Sequence, residues 1–395
     1  MKKVAVLGGG PAGSFAAERL AKAGLNTVIL DEKLAWEKPC GGGLTYKAYN
    51  EYPFLIENDT PKKLVHDTFL HEPRVGAAKL GLTQPLLIYS RYDLNKMLLD
   101  RAERAGAQIE KSRVLGLDRW NRGWRIRTRD GSFDADFCIV ATGARNPLRN
   151  VGTQYRPADT MCALGYYVPS HQDHIDIQFL PRLEGYIWVF PRCGHLSVGI
   201  CGKGESSQKL RIRLERYMEE KGISSKEATF YGHVLPSLDR SGWRNNRVGG
   251  DGWLAAGDAG GLVDPITGEG LYYAMRSGDL ASQIVLDESH APTEKAQAYW
   301  SLLRRDFAAD LEFGAGLAER LFLGRLLFNT VPARMIQFIR RSPRFCDLMQ
   351  DLFAGTQPYL GLKSRFLKNV NCSIPEVVMN FFLQKLVTVE KAGEA

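Results

Sequence analysis

A glycine-rich run directly after the first apolar stretch restricts the fold of this chain more than any other feature. Residues 3–7 form a β-branched apolar run, residues 11–24 carry apolar side chains with a helical period, and residues 27–30 form a second apolar run. Between the first run and the helical segment, residues 8–13 read G-G-G-P-A-G. This order predicts a βαβ unit in which a glycine turn joins the first strand to its helix.

The residues of this run each meet a separate requirement of a turn that binds a diphosphate. Gly8 permits the tight turn, Gly10 lets a diphosphate approach the backbone, and Gly13 lets the helix pack closely against the sheet. Pro11 and Ala12 begin the helix, whose free N–H groups and positive dipole end face an anion. The run therefore predicts a dinucleotide site, although this motif does not separate FAD from NAD.

An acidic pair follows the second predicted strand. Asp31 stands 23 positions after Gly8, where a carboxylate can accept hydrogen bonds from both hydroxyls of a ribose. We assign Asp31 and the adjacent Glu32 to cofactor binding.

A second motif separates the two dinucleotides. Residues 253–260 read W-L-A-A-G-D-A-G, and residues 265–270 read P-I-T-G-E-G before a predicted helix of about residues 268–287. An aspartate at a strand end can hold a ribityl hydroxyl, and the positive end of a helix stabilises the negative charge of a reduced flavin. The cofactor predicted here is FAD, and the residues assigned to it are Asp258, Gly268, Gly270 and Leu271.

Together these motifs resemble the FAD-dependent group that contains the aromatic hydroxylases, the flavin halogenases and the geranylgeranyl reductases. The resemblance covers residues 1 to about 290. It assigns an arginine just before the first long helix after the fingerprint to the flavin nucleotide, and Arg91 in S-R-Y-D-L occupies that place. It also assigns to the cofactor Thr142 and Gly143 of an A-T-G turn, and Val114.

The segment P-C-G-G-G-L at residues 39–44 resembles a loop of the geranylgeranyl reductases. Glycines 41, 42 and 43 leave the backbone free to pass against a flat ring system, where any Cβ would clash. Cys40, Gly41, Gly42 and Gly43 are therefore predicted to contact the flavin. Cys40 is the candidate proton donor or relay; the alternative is a small buried apolar side chain.

The segment Y-I-W-V-F-P at residues 186–191 is similar to a strand of the same family. By strand alternation, Tyr186, Trp188 and Phe190 share one face. Three aromatic rings on one face can wall an apolar tunnel for a prenyl chain, or they can be ordinary sheet core. The resemblance favours the tunnel.

The resemblance implies an FAD-dependent reductase that hydrogenates C=C bonds of a geranylgeranyl or related polyprenyl chain. Such a bond is not activated, so it needs hydride from the reduced flavin on one carbon and a proton on the other. No second G-x-G-x-x-G is present, so NADPH bound transiently or a carrier such as ferredoxin is the expected electron source.

The alternative is an FAD-dependent monooxygenase or halogenase acting on an aromatic substrate. Halogenases depend on a tunnel lysine; Lys62, Lys63 and Lys79 lie in suitable regions but in no recognisable motif. Hydroxylases use a D-G motif, and the D-G pairs at 130–131 and 251–252 fit hairpin turns better.

The expected fold class is α/β: a Rossmann-like FAD-binding domain with an inserted antiparallel β-sheet substrate domain and a helical C-terminal region. The FAD-binding domain spans residues 1–150, with an extended insert at 64–90, and returns at 246–290. The substrate domain spans 151–245 and the helical region 291–395.

The composition of the chain indicates which partners and which cellular compartment to expect. Lys and Arg exceed Asp and Glu by 52 to 44, a net charge of +8 that suits an anionic partner. The seven cysteines include no C-x-x-C pair, so we expect no metal site and a reduced, cytoplasmic protein. Residues 301–345 contain eight arginines and four acidic residues. Helices in this segment can rest on anionic lipid as a peripheral membrane contact, or they can simply cover the sheet. No nucleic-acid motif is present.

Overall fold

The structure is a computed structural model that describes residues 2–148, 150–326 and 328–369. The strands are β1 (Lys3–Leu7), β2 (Asn26–Leu30), β3 (Gly43–Leu44), β4 (Lys62–Glu72), β5 (Gly76–Tyr89), β6 (Gln108–Glu110), β7 (Val114–Trp120), β8 (Gly123–Thr128), β9 (Ser132–Ala135), β10 (Phe137–Val140), β11 (Thr160–Val168), β12 (Ile175–Phe179), β13 (Glu184–Pro191), β14 (Leu196–Lys203), β15 (Thr229–Pro236), β16 (Gly249–Gly250), β17 (Trp253–Ala255), β18 (Arg325–Leu326) and β19 (Asn329–Thr330). The helices are α1 (Pro11–Lys22), α2 (Tyr46–Glu51), α3 (Arg91–Arg104), α4 (Ser207–Glu220), α5 (Arg240–Arg244), α6 (Leu271–Leu286), α7 (Lys295–Leu303), α8 (Ala309–Leu323), α9 (Val331–Arg341), α10 (Pro343–Ala354) and α11 (Tyr359–Asn369).

A six-stranded sheet carries the fingerprint. Its order is β16-β17-β10-β1-β2-β6, and all neighbours are parallel except β16 and β17. Val4 and Val6 pack with residues of α1, α3 and α6 on one face, whereas Ala5 and Leu7 pack with the β7-β8-β9 sheet on the other. The carboxyl ends of β1, β2, β10 and β17 meet at one edge, where ligands bind to open α/β sheets. The predicted Rossmann-like fold is confirmed.

The second sheet is larger than the segment from which it was expected. Its order is β15-β11-β14-β13-β12-β4-β5-β3, so the predicted insert at 64–90 supplies most of β4 and β5 of the same sheet. β4 runs parallel to β12, and the remaining neighbours are antiparallel. The sheet is thus mixed, because β12 pairs its free edge with a strand from before residue 90. The domain boundaries given above remain predictions.

The helices after residue 290 cover one face of this second sheet. α7 passes through a π-helical turn, Arg304–Ala308, into α8. Ile336 and Ile339 of α9 pack with Val65 and Leu80 of the sheet, so the apolar face of α9 lies inside the protein. This agrees with the covering interpretation of the basic segment; its predicted helical part beyond 369 lies outside the described residues.

No helix within residues 2–148, 150–326 and 328–369 is long and apolar enough to cross a membrane. No cluster of His, Cys, Asp and Glu in those ranges has the arrangement of a metal site, and the cysteines within them are free thiols. Cys372 lies outside the described residues.

Candidate cofactor and substrate cavity

One continuous cavity of about 590 Å³ brings most of the predicted site residues together. It begins at the carboxyl edge of the parallel sheet and continues between the second sheet and the C-terminal helices. The predicted residues on its wall are Gly10, Pro11, Ala12, Asp31, Cys40, Gly41, Gly42, Gly43, Arg91, Thr142, Gly143, Tyr186, Trp188, Phe190, Asp258, Gly268, Gly270 and Leu271.

Two of the fingerprint glycines are required by close packing, and a third is open to the cavity. Gly8 has a φ of +113°, and a Cβ there would lie 2.3 Å from the Ala141 carbonyl oxygen. A Cβ on Gly13 would lie 1.9 Å from the Gly8 carbonyl oxygen. Among the described residues, no neighbouring heavy atom lies within 4 Å of a Cβ built on Gly10. The turn is therefore closed on its protein side and open where a diphosphate would meet the first turn of α1.

Asp31 lies on the cavity wall, but Glu32 and Val114 do not. The Asp31 carboxylate accepts backbone N–H groups from Gly9 at 2.7 Å and from Lys33 and Leu34 at 2.7 and 2.8 Å, which fixes its orientation. Glu32 points to solvent, with its carboxylate 3.6 Å from Arg113. Val114 is buried in the core behind the parallel sheet, so its side chain has no access to the cavity.

Arg91 carries an unmet hydrogen-bonding requirement. It is the first residue of α3 and is only 3 % exposed. Its Nη2 donates to Asn95 at 3.2 Å, whereas its Nε has no hydrogen-bond partner among the described residues. Leaving a buried donor of a charged group unpaired is costly, so this position fits an anionic ligand group. Together with the open fingerprint turn, the residues present fit a dinucleotide diphosphate.

Asp258 belongs to a charged group that the sequence did not indicate. Its carboxylate accepts from Lys38 Nζ at 3.0 Å. Burial raises the pKa of Asp258, but Lys38 and then His233 outweigh it, and the net pKa is lowered. Burial, followed by Lys38, lowers the pKa of His233 to about 4, so this cavity-wall imidazole is neutral at pH 7.

Glu269 lies on the wall immediately before α6, between Gly268 and Gly270. Its Oε1 accepts the N–H of Tyr272 at 2.8 Å and so caps the helix. Burial raises the pKa of Glu269 to about 7, and the neighbouring Asp264 charge adds to the rise against the lowering effects of the Tyr272 N–H and Lys47. The sequence marked this segment by its glycines and missed the carboxyl group.

The loop that carries Cys40 is held by a buried arginine. Arg192 has no exposed side-chain surface and donates to the Glu37 carboxylate, the Cys40 carbonyl oxygen and, at 3.3 Å, the Gly41 carbonyl oxygen. The Cys40 thiol accepts the N–H of Gly42 at 3.3 Å and lies on the cavity wall.

The three glycines of this loop have protein neighbours that the sequence did not indicate. A Cβ on Gly41 or Gly43 would lie 3.3 or 3.1 Å from the ring of Phe190. Gly42 has a φ of +84°, and a Cβ there would lie 2.1 Å from the Tyr89 carbonyl oxygen. Close approach to a flat ring was expected to explain these glycines, but the ring found against two of them is Phe190.

The far part of the cavity is an apolar arm. Tyr186, Trp188 and Phe190 share its wall, as strand alternation predicts, and the Tyr186 ring stacks on Phe322 at 6.4 Å. Strand β12 adds Ile175, Ile177 and Phe179 to the wall. The C-terminal helices add side chains spaced three, four and seven residues apart, a helical period that is visible in the sequence. These residues are Leu317, Leu321, Phe322, Val331, Met335, Phe338, Phe345, Leu348, Met349, Leu352 and Phe353.

Comparison with known proteins agrees with this geometry. A sequence profile described as pyridine nucleotide-disulphide oxidoreductase matches residues 2–165. The chain is 27 % identical to the chloroplastic geranylgeranyl diphosphate reductase of Arabidopsis thaliana, over 73 % of this chain and 66 % of that protein. It is 28 % identical to digeranylgeranylglycerophospholipid reductase 2 of Methanothermobacter thermautotrophicus, over 72 % of this chain and 77 % of that protein.

The chain is thus similar in sequence to geranylgeranyl reductases, and its N-terminal part matches an oxidoreductase domain. Its fold is shared with a geranylgeranyl bacteriochlorophyll reductase-like protein of Thermoplasma acidophilum, with a TM-score of 0.76, 24 % identity and coverage of 94 % and 100 % of the two chains. The fold is also shared with a myxobacterial chondrochloren halogenase, with a TM-score of 0.63, 20 % identity and coverage of 90 % and 91 %. Fold alone therefore does not separate the reductases from the halogenases.

The lysines weighed for a halogenase lie away from this cavity. Lys62 Nζ donates to the Thr60 carbonyl oxygen at 3.3 Å, and Lys63 Nζ donates to the Gln172 carbonyl oxygen at 3.2 Å. Lys79 pairs with Asp67 at 2.7 Å. None of the three is on the wall formed by the described residues, so the structure gives no support to a tunnel lysine at these positions.

Proposed function

We propose that this protein is an FAD-dependent reductase that hydrogenates C=C bonds of a geranylgeranyl or related polyprenyl chain. The observation that carries this proposal is the continuity of the cavity: a polar end that fits a dinucleotide opens directly into a long apolar arm. The two relatives described above are named for substrates that share a geranylgeranyl group and differ in their head groups. The shared part is the part that an apolar arm can bind.

The wall of the arm explains how a flexible hydrocarbon is held. Burying apolar surface is favourable by about 25 cal/mol per Å², and the arm presents aliphatic and aromatic side chains almost throughout. Tyr186 and Trp188 lie where the arm meets the cofactor end, with ring centroids 6.3 Å apart. Rings at this point support a flat alkene and exclude water from the reacting carbons.

The residues that hold the cofactor are those at the polar end. Arg91 and the first turn of α1 would bind its diphosphate, Asp31 its ribose, and Asp258 its ribityl chain. Bound FAD in its reduced form supplies the hydride for one carbon of the double bond. The protein must supply the proton for the other carbon.

We assign that proton to the Cys40 thiol. Cys40 lies on the cavity wall, and its main chain is fixed by hydrogen bonds from Arg192 and, at 3.1 Å, from Ser197. After donating its proton to carbon, the thiolate regains one from solvent. The product then carries one added hydride and one added proton.

The electron source is NADPH or a small carrier such as ferredoxin. We also propose a cytoplasmic protein that meets its lipid substrate at a membrane surface. The net charge of +8 supports either an acidic carrier or an anionic bilayer as a partner.

One anaerobic experiment tests the activity. FAD bound to the purified protein is reduced without oxygen, and geranylgeranyl diphosphate or a digeranylgeranyl phospholipid is added. Reoxidation of the flavin together with a saturated product supports the proposal. Reoxidation that requires oxygen and forms a hydroperoxyflavin supports a monooxygenase or halogenase instead.

Variants of Cys40 test the assigned proton. Cys40→Ala and Cys40→Ser should retain FAD but turn over a prenyl substrate about 10²-fold or more slowly. Cys193→Ser is the matched control, because Cys193 is an exposed free thiol off the cavity wall. Normal turnover by both Cys40 variants would remove Cys40 from the mechanism.

A further inference from the structure

One stretch of chain forms a thin wall between the apolar arm and solvent. Leu321, Phe322 and Leu326 line the cavity, whereas Leu323 and Phe328 in the same stretch are 45 % and 103 % exposed. The stretch covers the end of α8 and the β18–β19 hairpin. Apolar side chains therefore point both into the arm and away from the protein.

Phe328 is unusual among the exposed side chains. Its ring is fully exposed at the hairpin, with a backbone φ of +65° that a bulky residue rarely adopts. Single exposed apolar residues are common, but this aromatic ring is presented at the turn of the hairpin, and Leu323 is exposed where α8 ends just before the same hairpin. The two side chains can bury a few hundred Å² at most, well below the roughly 1,200 Å² of a stable protein interface.

The charges beside this hairpin are basic. Arg320 and Arg325 flank Leu323 in the sequence, and neither has an ion pair among the described residues. Arg334, in the first turn of α9, donates to the Leu326 carbonyl oxygen at 3.2 Å. Glu319 is the acidic residue of this stretch. The surroundings of the hairpin therefore complement the phosphates of anionic lipids.

Helix α9 cannot supply such a contact with its apolar face. The apolar face of α9 is buried against β4 and β5. Arg340 of the same helix donates to the Ala77 carbonyl oxygen at 2.7 Å. The exposed side chains of Leu323 and Phe328 remain available for a bilayer contact.

We infer that Leu323 and Phe328 insert into the interface of an anionic bilayer while Arg320 and Arg325 contact its phosphates. This inference rests on the proposed function in one respect, since a membrane-borne prenyl substrate gives the contact its purpose. In this arrangement, a single layer of side chains separates the apolar arm from the lipid phase.

Vesicle flotation tests the contact with the full-length, FAD-loaded protein. The probes are vesicles of phosphatidylcholine alone and vesicles with about one-third phosphatidylserine. We expect Phe328→Ser to weaken partitioning about tenfold. We expect Arg320→Gln with Arg325→Gln to weaken it roughly fivefold per arginine on anionic vesicles and little on neutral ones.

Ile212→Ser is the matched control. Ile212 on α4 is 60 % exposed and lies between Arg211 and Arg213, but those arginines pair with Glu215 and Glu205. This control should partition like the wild type. Equal loss in Ile212→Ser and Phe328→Ser would overturn the inference, and so would wild-type partitioning of Phe328→Ser.

Two further measurements separate insertion from folding and from chemistry. A Phe328→Trp variant should gain quenching by brominated lipids, and a large fall in the melting temperature of Phe328→Ser would show instead that the ring packs inside the protein. Phe328→Ser should reduce a detergent-dispersed prenyl substrate at the wild-type rate. If the wild type reduces no prenyl substrate but Phe328 still governs partitioning, the membrane contact stands and the proposed function fails.

Discussion

Removing the buried guanidinium of Arg192 tests how the Cys40 loop is held. Arg192→Met keeps most of the side-chain volume and deletes the hydrogen bonds to the Glu37 carboxylate and to the carbonyl oxygens of Cys40 and Gly41. Breaking a buried pair from one side usually costs about 3–5 kcal/mol, because the remaining charge stays buried.

We expect a smaller loss of stability here, because Glu37 is partly exposed and keeps other hydrogen bonds. Glu37 is 29 % exposed at its side chain and keeps hydrogen bonds from Ser90 Oγ at 2.5 Å and from the Arg91 and Tyr92 N–H groups at 3.0 and 3.2 Å. Cys40 keeps its bond from Ser197. We therefore expect Arg192→Met to lower the free energy of unfolding by about 2–4 kcal/mol and to weaken FAD retention.

Urea unfolding followed by fluorescence measures this change. Arg216→Met is the control, because the Arg216–Glu220 pair is 79 % and 61 % exposed and should contribute less than about 0.5 kcal/mol. Adding Glu37→Gln to Arg192→Met should recover part of the loss, since it removes the unpaired charge. A loss below about 1 kcal/mol, or no recovery in the double variant, would refute the reasoning.

The pH dependence of the same variant has a defined sign. Burial raises the pKa of Glu37, but Arg192 and the hydrogen bonds from Ser90, Arg91 and Tyr92 outweigh it, so the net pKa is lowered. A carboxyl group whose folded pKa is depressed stabilises the protein above its unfolded pKa, and that stability is lost as pH falls through the folded pKa. The difference between wild type and Arg192→Met should therefore be full at neutral pH and shrink in acid.

Further substitutions test the two ends of the cavity. Arg91→Gln should weaken FAD binding at least tenfold in a fluorescence titration, whereas Arg104→Gln, on the exposed end of the same helix, should not. Glu269→Gln should stabilise the cofactor-free protein by about 1–3 kcal/mol at pH 8 and little near pH 4. The reason is that the Glu269 carboxyl has a raised pKa in the folded protein, so it destabilises the fold as pH rises from its unfolded pKa toward about 7. Equal effects at both pH values would contradict this. Leu321→Trp should obstruct the apolar arm and reduce kcat/KM for a C20 prenyl substrate more than for a C10 one; an equal loss on both would place the chain elsewhere.

The local sequence pattern was sufficient to predict the elements that form the cofactor end of the cavity. The fingerprint predicted β1, the turn and α1, because a tight turn and a close helix–strand approach can be met by few residues other than glycine. Asp31 and Asp258 were predicted from their places at strand ends and Arg91 from the family resemblance, and all three lie on the cavity wall. Glu32 and Val114 were assigned beside them but do not reach it.

The contacts that join distant segments were not accessible in this way. Lys38 meets Asp258 across 220 positions, and Arg192 meets Cys40 across 152. The pairing of β4 with β12 likewise joins segments that the sequence had placed in separate domains. Such contacts depend on the relative placement of elements, which no local spacing encodes.

By itself, then, the sequence determined the glycine turns, the amphipathic helices and the alternation that puts three aromatic rings on one face, since each depends on residues within a few positions of one another. The tertiary structure alone decided that the last helices close an apolar arm over those rings. It also decided that Glu269 is buried enough to raise its pKa, because desolvation depends on everything that surrounds a group in space.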